Sequence, residues 1–255
     1  MSDTDTGGPG RASDPTDGLR VRPERVRSDP ADLPRIGVWQ EWPMHLDHLS
    51  FAVGPAGLET TAEELGALLG ATFLDGGAHP RFGTRNMILP LRNRQYLEVV
   101  EVLDHPAAEK APFGQVVRQR SDAGGGWLGW VVSVDDIAPV EHRIGRHAVP
   151  GNRRRPDGYN LQWRQIGIRG MAADPQLPFV TCWDSDPDEH PSQMAESEIE
   201  LVALEIAGDP QRVADWLGEH VFDALESISV EWAAPHGVPG ILAATFSTPN
   251  GQIRV

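Results

Sequence analysis

His48-Leu-Ser-Phe-Ala-Val53 closes an alternating strand pattern and runs, after a short turn, into a helical one. Gly129-Trp-Val-Val-Ser-Val134 and Leu201-Val-Ala-Leu-Glu-Ile206 repeat that shape further along the chain. The likeness is one of pattern, not identity. A recurring strand-then-helix opening decides architecture more strongly than any single residue, because each repeat is one supersecondary piece.

Working outward from the first opening, a strand over 46–53 leads to a helix over 58–69. Leu58, Ala62, Leu65, Leu68 and Leu69 fall at helical spacing, and Gly70 supplies a stop. A Gly-rich connection over 75–84 leads to strands over 86–91 and 95–103. The second unit opens after Gly124-Gly-Gly126 with a strand over 127–134. Asp135 or Asp136 can cap a helix reaching about residue 146, and strands follow over 159–168 and 178–184. A polar linker, 185–197, precedes the third unit. It has a strand over 198–206, a helix over 211–217 with Asp209 as N-cap and Pro210 at its first position, and strands near 227–232, 240–247 and 252–255. Asn250-Gly251 is a hairpin turn signal. The expected organisation is a disordered tail over 1–40, a βαββ module over 44–105, a linker over 106–126, a second module over 127–185, and a linker with a third βαββ-like module over 186–255.

Composition narrows the function classes. Hydrophobic residues make up 40% and charged residues 23% of the 255 residues, as in ordinary globular chains. The formal net charge of −15 argues against nucleic-acid partners, which demand a basic footprint, and against anionic membrane surfaces. No stretch approaches the roughly 20 apolar residues that span a bilayer, and the N-terminal region lacks a secretory apolar segment. The single cysteine, Cys182, fits a reducing compartment, so the expected location is cytoplasmic.

The segment Gly76-Gly-Ala-His-Pro-Arg-Phe-Gly-Thr-Arg-Asn86, followed by Tyr96-Leu-Glu98, resembles the glyoxalase-like branch of the vicinal-oxygen-chelate superfamily. Leu46-Asp-His-Leu49, Gly129-Trp130, Arg155-Pro-Asp-Gly158, Leu177-Pro-Phe179 and Trp183-Asp184 fit the same branch, and the resemblance covers roughly residues 44–255. It implies an α+β fold in which tandem βαββ modules form an open, cup-shaped mixed sheet with helices outside and the site inside the cup. It does not imply one activity, since the superfamily holds lyases, isomerases, dioxygenases and drug-sequestering proteins.

The resemblance also implies metal ligands on the first and last strands of a module, which makes His48 and Glu98 the candidate pair for zinc, manganese or iron. Such an ion would polarise a substrate carrying adjacent oxygens. Matching Val53 with Val134 puts Gly129 at the corresponding place in the second unit, and the branch would carry a glutamate where Cys182 stands. Neither Gly129 nor Trp130 can ligate through a side chain, and Cys182 reads as a small buried hydrophobe. His190 follows on the next loop. Glu98 and Glu101 cannot both face the cup, because residues three apart on a strand face opposite ways; the Tyr96-Leu-Glu98 match favours Glu98 as ligand or base.

On the Gly-rich loop, His79 is a candidate acid or base, while Asn86 and Arg85 are candidate substrate contacts. The alternative is a tight connection whose polar groups satisfy the backbone. Eight tryptophans against two tyrosines suggest an aromatic wall, with Trp130 and Trp183 assigned to it and most of the others, Trp127 and Trp163 among the candidates, read as core packing. Arg153–Arg155 reads as a solvated basic turn, and Arg164 as a solvated strand residue or an anion contact. Two functions follow. One is a glyoxalase-like enzyme of lyase or isomerase type acting on a small organic molecule; the other is a metal-free binding or sequestering protein. The third unit lacks His or acid at the ligand positions and is expected to be structural, completing the sheet or making a homodimer contact.

Overall fold

A computed structural model describes residues 43–234 and 236–255. The tail expected over 1–40 lies outside the described residues. The first unit consists of β1 (Met44–Ala52), α1 (Leu58–Leu69), β2 (Leu74–His79), β3 (Thr84–Pro90) and β4 (Tyr96–Val102). Helix α1 buries Leu58, Ala62, Leu65 and Leu69, leaves Leu68 in solvent, and ends at Gly70 in the left-handed region with φ 71°. The stretch read as a linker carries α2 (Pro106–Lys110) and α3 (Pro112–Asp122). Each begins on a proline, whose fixed φ and missing N–H suit a first turn. Then come β5 (Gly126–Val134), α4 (Ala138–Ile144), β6 (Val149–Arg154), β7 (Asn160–Ile166), α5 (Ile168–Ala173) and β8 (Phe179–Trp183).

The two units join into one curled mixed sheet in the order β1-β4-β3-β2-β6-β7-β8-β5, with helices outside, and the cup closes into a barrel. Within each unit the first strand runs parallel to the last, β1 to β4 and β5 to β8. Parallel neighbours need a crossover, which α1 and α4 supply. One seam is the long antiparallel β1–β5 pairing, and the other is a single residue pair, Ala78 with Arg154.

Two expected loops are therefore strands. β2 contains Gly76 and Gly77, and β6 contains Pro150 and Gly151, so both read as breakers. The structure shows why glycine is needed in β2: a side chain on Gly77 would run into the Arg154 carbonyl across the seam, and one on Gly76 into the Asn86 side chain.

The third unit, β9 (Glu200–Ala207), α6 (Pro210–Leu217), β10 (Ser229–Ala233), β11 (Gly240–Thr248) and β12 (Gly251–Arg254), opens as expected. Asp209 caps α6 by accepting from the Gln211 N–H, and Asn250-Gly251 turns β11 into β12. Its strand order, β10-β9-β11-β12, differs from that of the first two units. The unit forms its own sheet instead of extending the barrel. Leu204, Ile206, Ala244 and Phe246 share one apolar core with Leu49, Trp130 and Val132 on the outer face of the barrel. No described helix is long and apolar enough to cross a membrane.

Candidate functional site

Inside the barrel is a small cavity of about 30 Å3, well below the roughly 300–1,000 Å3 of ligand sites, so a ligand enters it only as the lining side chains shift. Strand alternation decides what enters it. On β4, Glu98 and Val100 point inward and Leu97 and Val99 outward. Glu101 points outward and pairs with Arg85 (Nε to Oε2, 2.6 Å). On β8, Phe179, Thr181 and Trp183 line the cavity, whereas Val180 and Cys182 join the outer core.

Glu98 is 4% exposed. Its Oε2 accepts from Ser50 Oγ at 2.7 Å and its Oε1 from Asn86 Nδ2 at 2.6 Å. Burial pushes the Glu98 carboxyl up, but the His48 and His79 rings and these two donors outweigh it, leaving the group below the ordinary carboxylate range. His79 ends β2; its Nδ1 is hydrogen-bonded with Thr84 Oγ1 at 2.8 Å, while its Nε2 faces Asn86 Nδ2 at 3.4 Å. Burial, with Arg153 and His48 adding to it and Glu98 opposing, brings His79 down to about 4. At neutral pH it is an uncharged ring, so the expected role as proton donor near neutrality does not suit it.

His48 stacks on Tyr96 with ring centroids 4.3 Å apart. Its Nδ1 lies 2.6 Å from Asp47 Oδ1, and its Nε2 lies 3.9 Å from Glu98 Oε2. Asp47 and His48 are consecutive, yet both are buried in the site. The register shifts between Leu46 and His48, so Asp47 is an extra residue in β1 and escapes the alternation. Asp47 Oδ2 accepts from Trp183 Nε1 at 2.8 Å and from His190 Nε2 at 3.2 Å. Burial raises the Asp47 carboxyl, and the hydrogen bonds and charges of His190 and His48 more than reverse that, so it stays ionised. An ionised carboxylate only accepts, which fixes the His48 proton on Nδ1 and leaves the Nε2 lone pair facing the cavity.

Arg153 overturns the reading of the basic run as a solvated turn. It is 2% exposed and lines the cavity, and its Nε and Nη2 have no hydrogen-bond partner among the described residues. It occupies β6 beyond Gly151 on the inward face; a side chain on Gly151 would strike the Trp163 ring. Arg155, by contrast, pairs with Asp157 and with Glu189 at the surface.

Of the residues singled out from sequence, the structure brings His48, His79, Asn86, Glu98 and Trp183 to one cavity. It does not bring Arg85, which is held outside by Glu59 and Glu101. Nor does it bring Trp130, which faces the outer core and donates to the Gln176 carbonyl at 2.9 Å. Asp47, Ser50 and Arg153 escaped the sequence reading, as did the placing of Trp163 on the wall. The inward positions of β8 are Phe179, Thr181 and Trp183, and none of them carries a carboxylate to match Glu98. The bulge that skips Leu128 in β5 mirrors the one at Asp47 in β1, which keeps Gly129 as the counterpart of His48, whereas Cys182 faces the outer core and does not answer to Glu98.

A resident divalent metal fits this donor set poorly. Among the described residues His48 Nε2 and Glu98 offer ligating atoms together; both Glu98 oxygens already accept hydrogen bonds, His79 Nε2 faces the Asn86 amide, and β8 turns Phe179, Thr181 and Trp183 inward. No group of three His, Cys, Asp or Glu able to hold a metal occurs among the described residues. The unpaired Arg153 guanidinium in the same cavity opposes a second cation.

The glyoxalase-like domain family matches residues 46–221. No curated protein matches the chain. Among solved structures, a hypothetical protein from Staphylococcus aureus is similar over 83% of this chain and 84% of its own, with TM-score 0.52 and 14% identity. Methylmalonyl-CoA epimerase from Mycobacterium tuberculosis matches over 56% of this chain and 89% of its own, at TM-score 0.38 and 16% identity. A Streptomyces coelicolor methylmalonyl-CoA epimerase variant in complex with 2-nitronate-propionyl-CoA matches over 57% and 100%, at TM-score 0.38 and 17% identity. At such identities the likeness concerns the fold alone. With the family match spanning most of the described chain and the paired units closing over a cavity, the protein belongs to the glyoxalase-like domain family of the vicinal-oxygen-chelate superfamily.

Proposed function

We propose that the barrel interior binds a small organic molecule and moves a proton on it, as an isomerase or lyase acting at a carbon beside a carbonyl. One observation carries this reading: an imidazole oriented by a buried carboxylate faces a second ionised carboxylate, 3.9 Å away, in the barrel cavity. His48 Nε2 takes the proton, and the C–H electron pair becomes an enolate. The imidazolium then lies between Asp47 and Glu98, both ionised and both stabilising its charge. Return of the proton to the carbon gives an isomer; departure of a β-substituent gives a lyase product. Glu98, held below the ordinary carboxylate range, suits charge stabilisation better than proton abstraction.

The test is exchange in D2O, followed by NMR, over a panel of small aldehydes, ketones and 2-oxo acids. Wild-type protein should wash the α-proton out of a compound that it binds. His48→Gln should slow this by roughly 10²- to 10⁴-fold with affinity retained. Compounds that bind without exchange would support the second reading, a binding or sequestering protein. That reading is favoured by the aromatic wall of Phe82, Tyr96, Phe113, Trp163, Phe179 and Trp183.

A further inference from the structure

We infer that the ligand carries a carboxylate, and that the Nε–Nη2 edge of Arg153 receives it. The inference rests on reading the barrel interior as a ligand site, and it names the substrate class. Arg153 is 2% exposed on β6, and its buried Nε and Nη2 have no hydrogen-bond partner among the described residues. Those two N–H groups lie side by side on one edge of the guanidinium, spaced to take both oxygens of a carboxylate in parallel hydrogen bonds.

No group among the described residues completes that edge. Glu98 is the anion in the cavity, but its oxygens are committed to Ser50 and Asn86. The other carboxylate of the site, Asp47, is filled by His48, His190 and Trp183. Burying a charge unpaired is costly, and an aliphatic side chain at this position would avoid that cost. Burial accordingly pulls the Arg153 guanidinium down from its ordinary value, against the attraction of Tyr96 and Glu98. A ligand carboxylate would remove the penalty, and the aromatic side chains of the wall, once parted, would flank the rest of the molecule. Lysine would supply the charge without the fork.

Calorimetric titration of the full chain with two acid–amide pairs, propionate against propionamide and benzoate against benzamide, tests this at two ligand sizes. Wild type should prefer at least one acid over its amide by roughly tenfold or more. Arg153→Met should abolish the preference while melting at a higher temperature than wild type without ligand. Arg153→Lys should retain the preference at reduced affinity, and it carries the test should the methionine variant fail to fold. Amide bound as tightly as acid by wild type, or a preference that survives in Arg153→Met, would overturn the inference and leave the cavity as the site. Neither acid binding while carbonyl compounds still exchange their α-protons would likewise overturn the carboxylate alone. No binding and no exchange for any compound would overturn both readings.

Discussion

Three N–H groups, from His48, His190 and Trp183, end on the two oxygens of Asp47, a residue 2% exposed to solvent. Asp47→Asn keeps the shape but replaces an acceptor oxygen with an amide donor and removes the charge. We expect a loss of about 3 kcal/mol in urea unfolding at pH 7, together with slowed exchange, because nothing then fixes the His48 proton on Nδ1. Since folding lowers the Asp47 pKa, its stabilising contribution is complete above its ordinary value of 3.8 and disappears as pH falls below that. An unchanged unfolding midpoint would refute the role given to this cluster. Gly76 is the second test at this scale. A methyl group there would collide with Asn86 Oδ1 and lie 2.9 Å from Ile88 Cγ1, so Gly76→Ala should cost roughly 1–3 kcal/mol. It should also detach Asn86 from Glu98, visible as a raised carboxyl titration by NMR; a variant matching wild type in both respects would show that the strand gives way freely. The sequence made His48 and Glu98 legible through strand position and resemblance. It hid Asp47, because a bulge suspends alternation and nothing in the letters announces one. Arg153 was hidden by its neighbours, for a run of three arginines looks solvated until a strand turns the first one inward.

Elements whose pattern matches their exposure were readable: α1 has one apolar stripe, and β9 and α6 open with a capped turn. β2 and β6 were not, since their glycines and proline mark close strand approach at the barrel seam, which only the tertiary pairing explains. The third sheet gave its opening correctly and its assembly not at all. Strand order depends on which apolar faces meet, and here one face of β9 and β11 meets the outside of β1 and β5. This contact makes the third unit part of the core. Phe246, fully buried on β11, packs there, away from the cavity. Phe246→Ala should cost about 3–5 kcal/mol in denaturant unfolding, with little change in ligand affinity for the protein that remains folded. A loss below 1 kcal/mol would mean that the sheet merely rests on the barrel.

At the scale of the whole molecule, closing the barrel over ionisable groups ties stability to pH through two opposing effects. Buried His79 is brought down to about 4 from an ordinary 6.5. The unfolded chain therefore binds its proton first as pH falls from 6.5, and the folded state loses stability progressively until about pH 4. The span corresponds to about 3 kcal/mol. Acidification also reduces a formal net charge of −15, which relieves self-repulsion and favours the compact state. Salt separates the two, because exposed charges are screened over a Debye length of about 8 Å at physiological ionic strength whereas the interior of a barrel is screened far less. Urea unfolding between pH 7 and pH 4 in 0.5 M salt should therefore isolate the buried imidazole. Gln at position 79 is polar and stays uncharged across this range, so His79→Gln should flatten that pH dependence by about 3 kcal/mol. If the variant and wild type lose stability in parallel, the acid sensitivity belongs to other groups, and His79 is not the neutral, desolvated ring that the cavity requires.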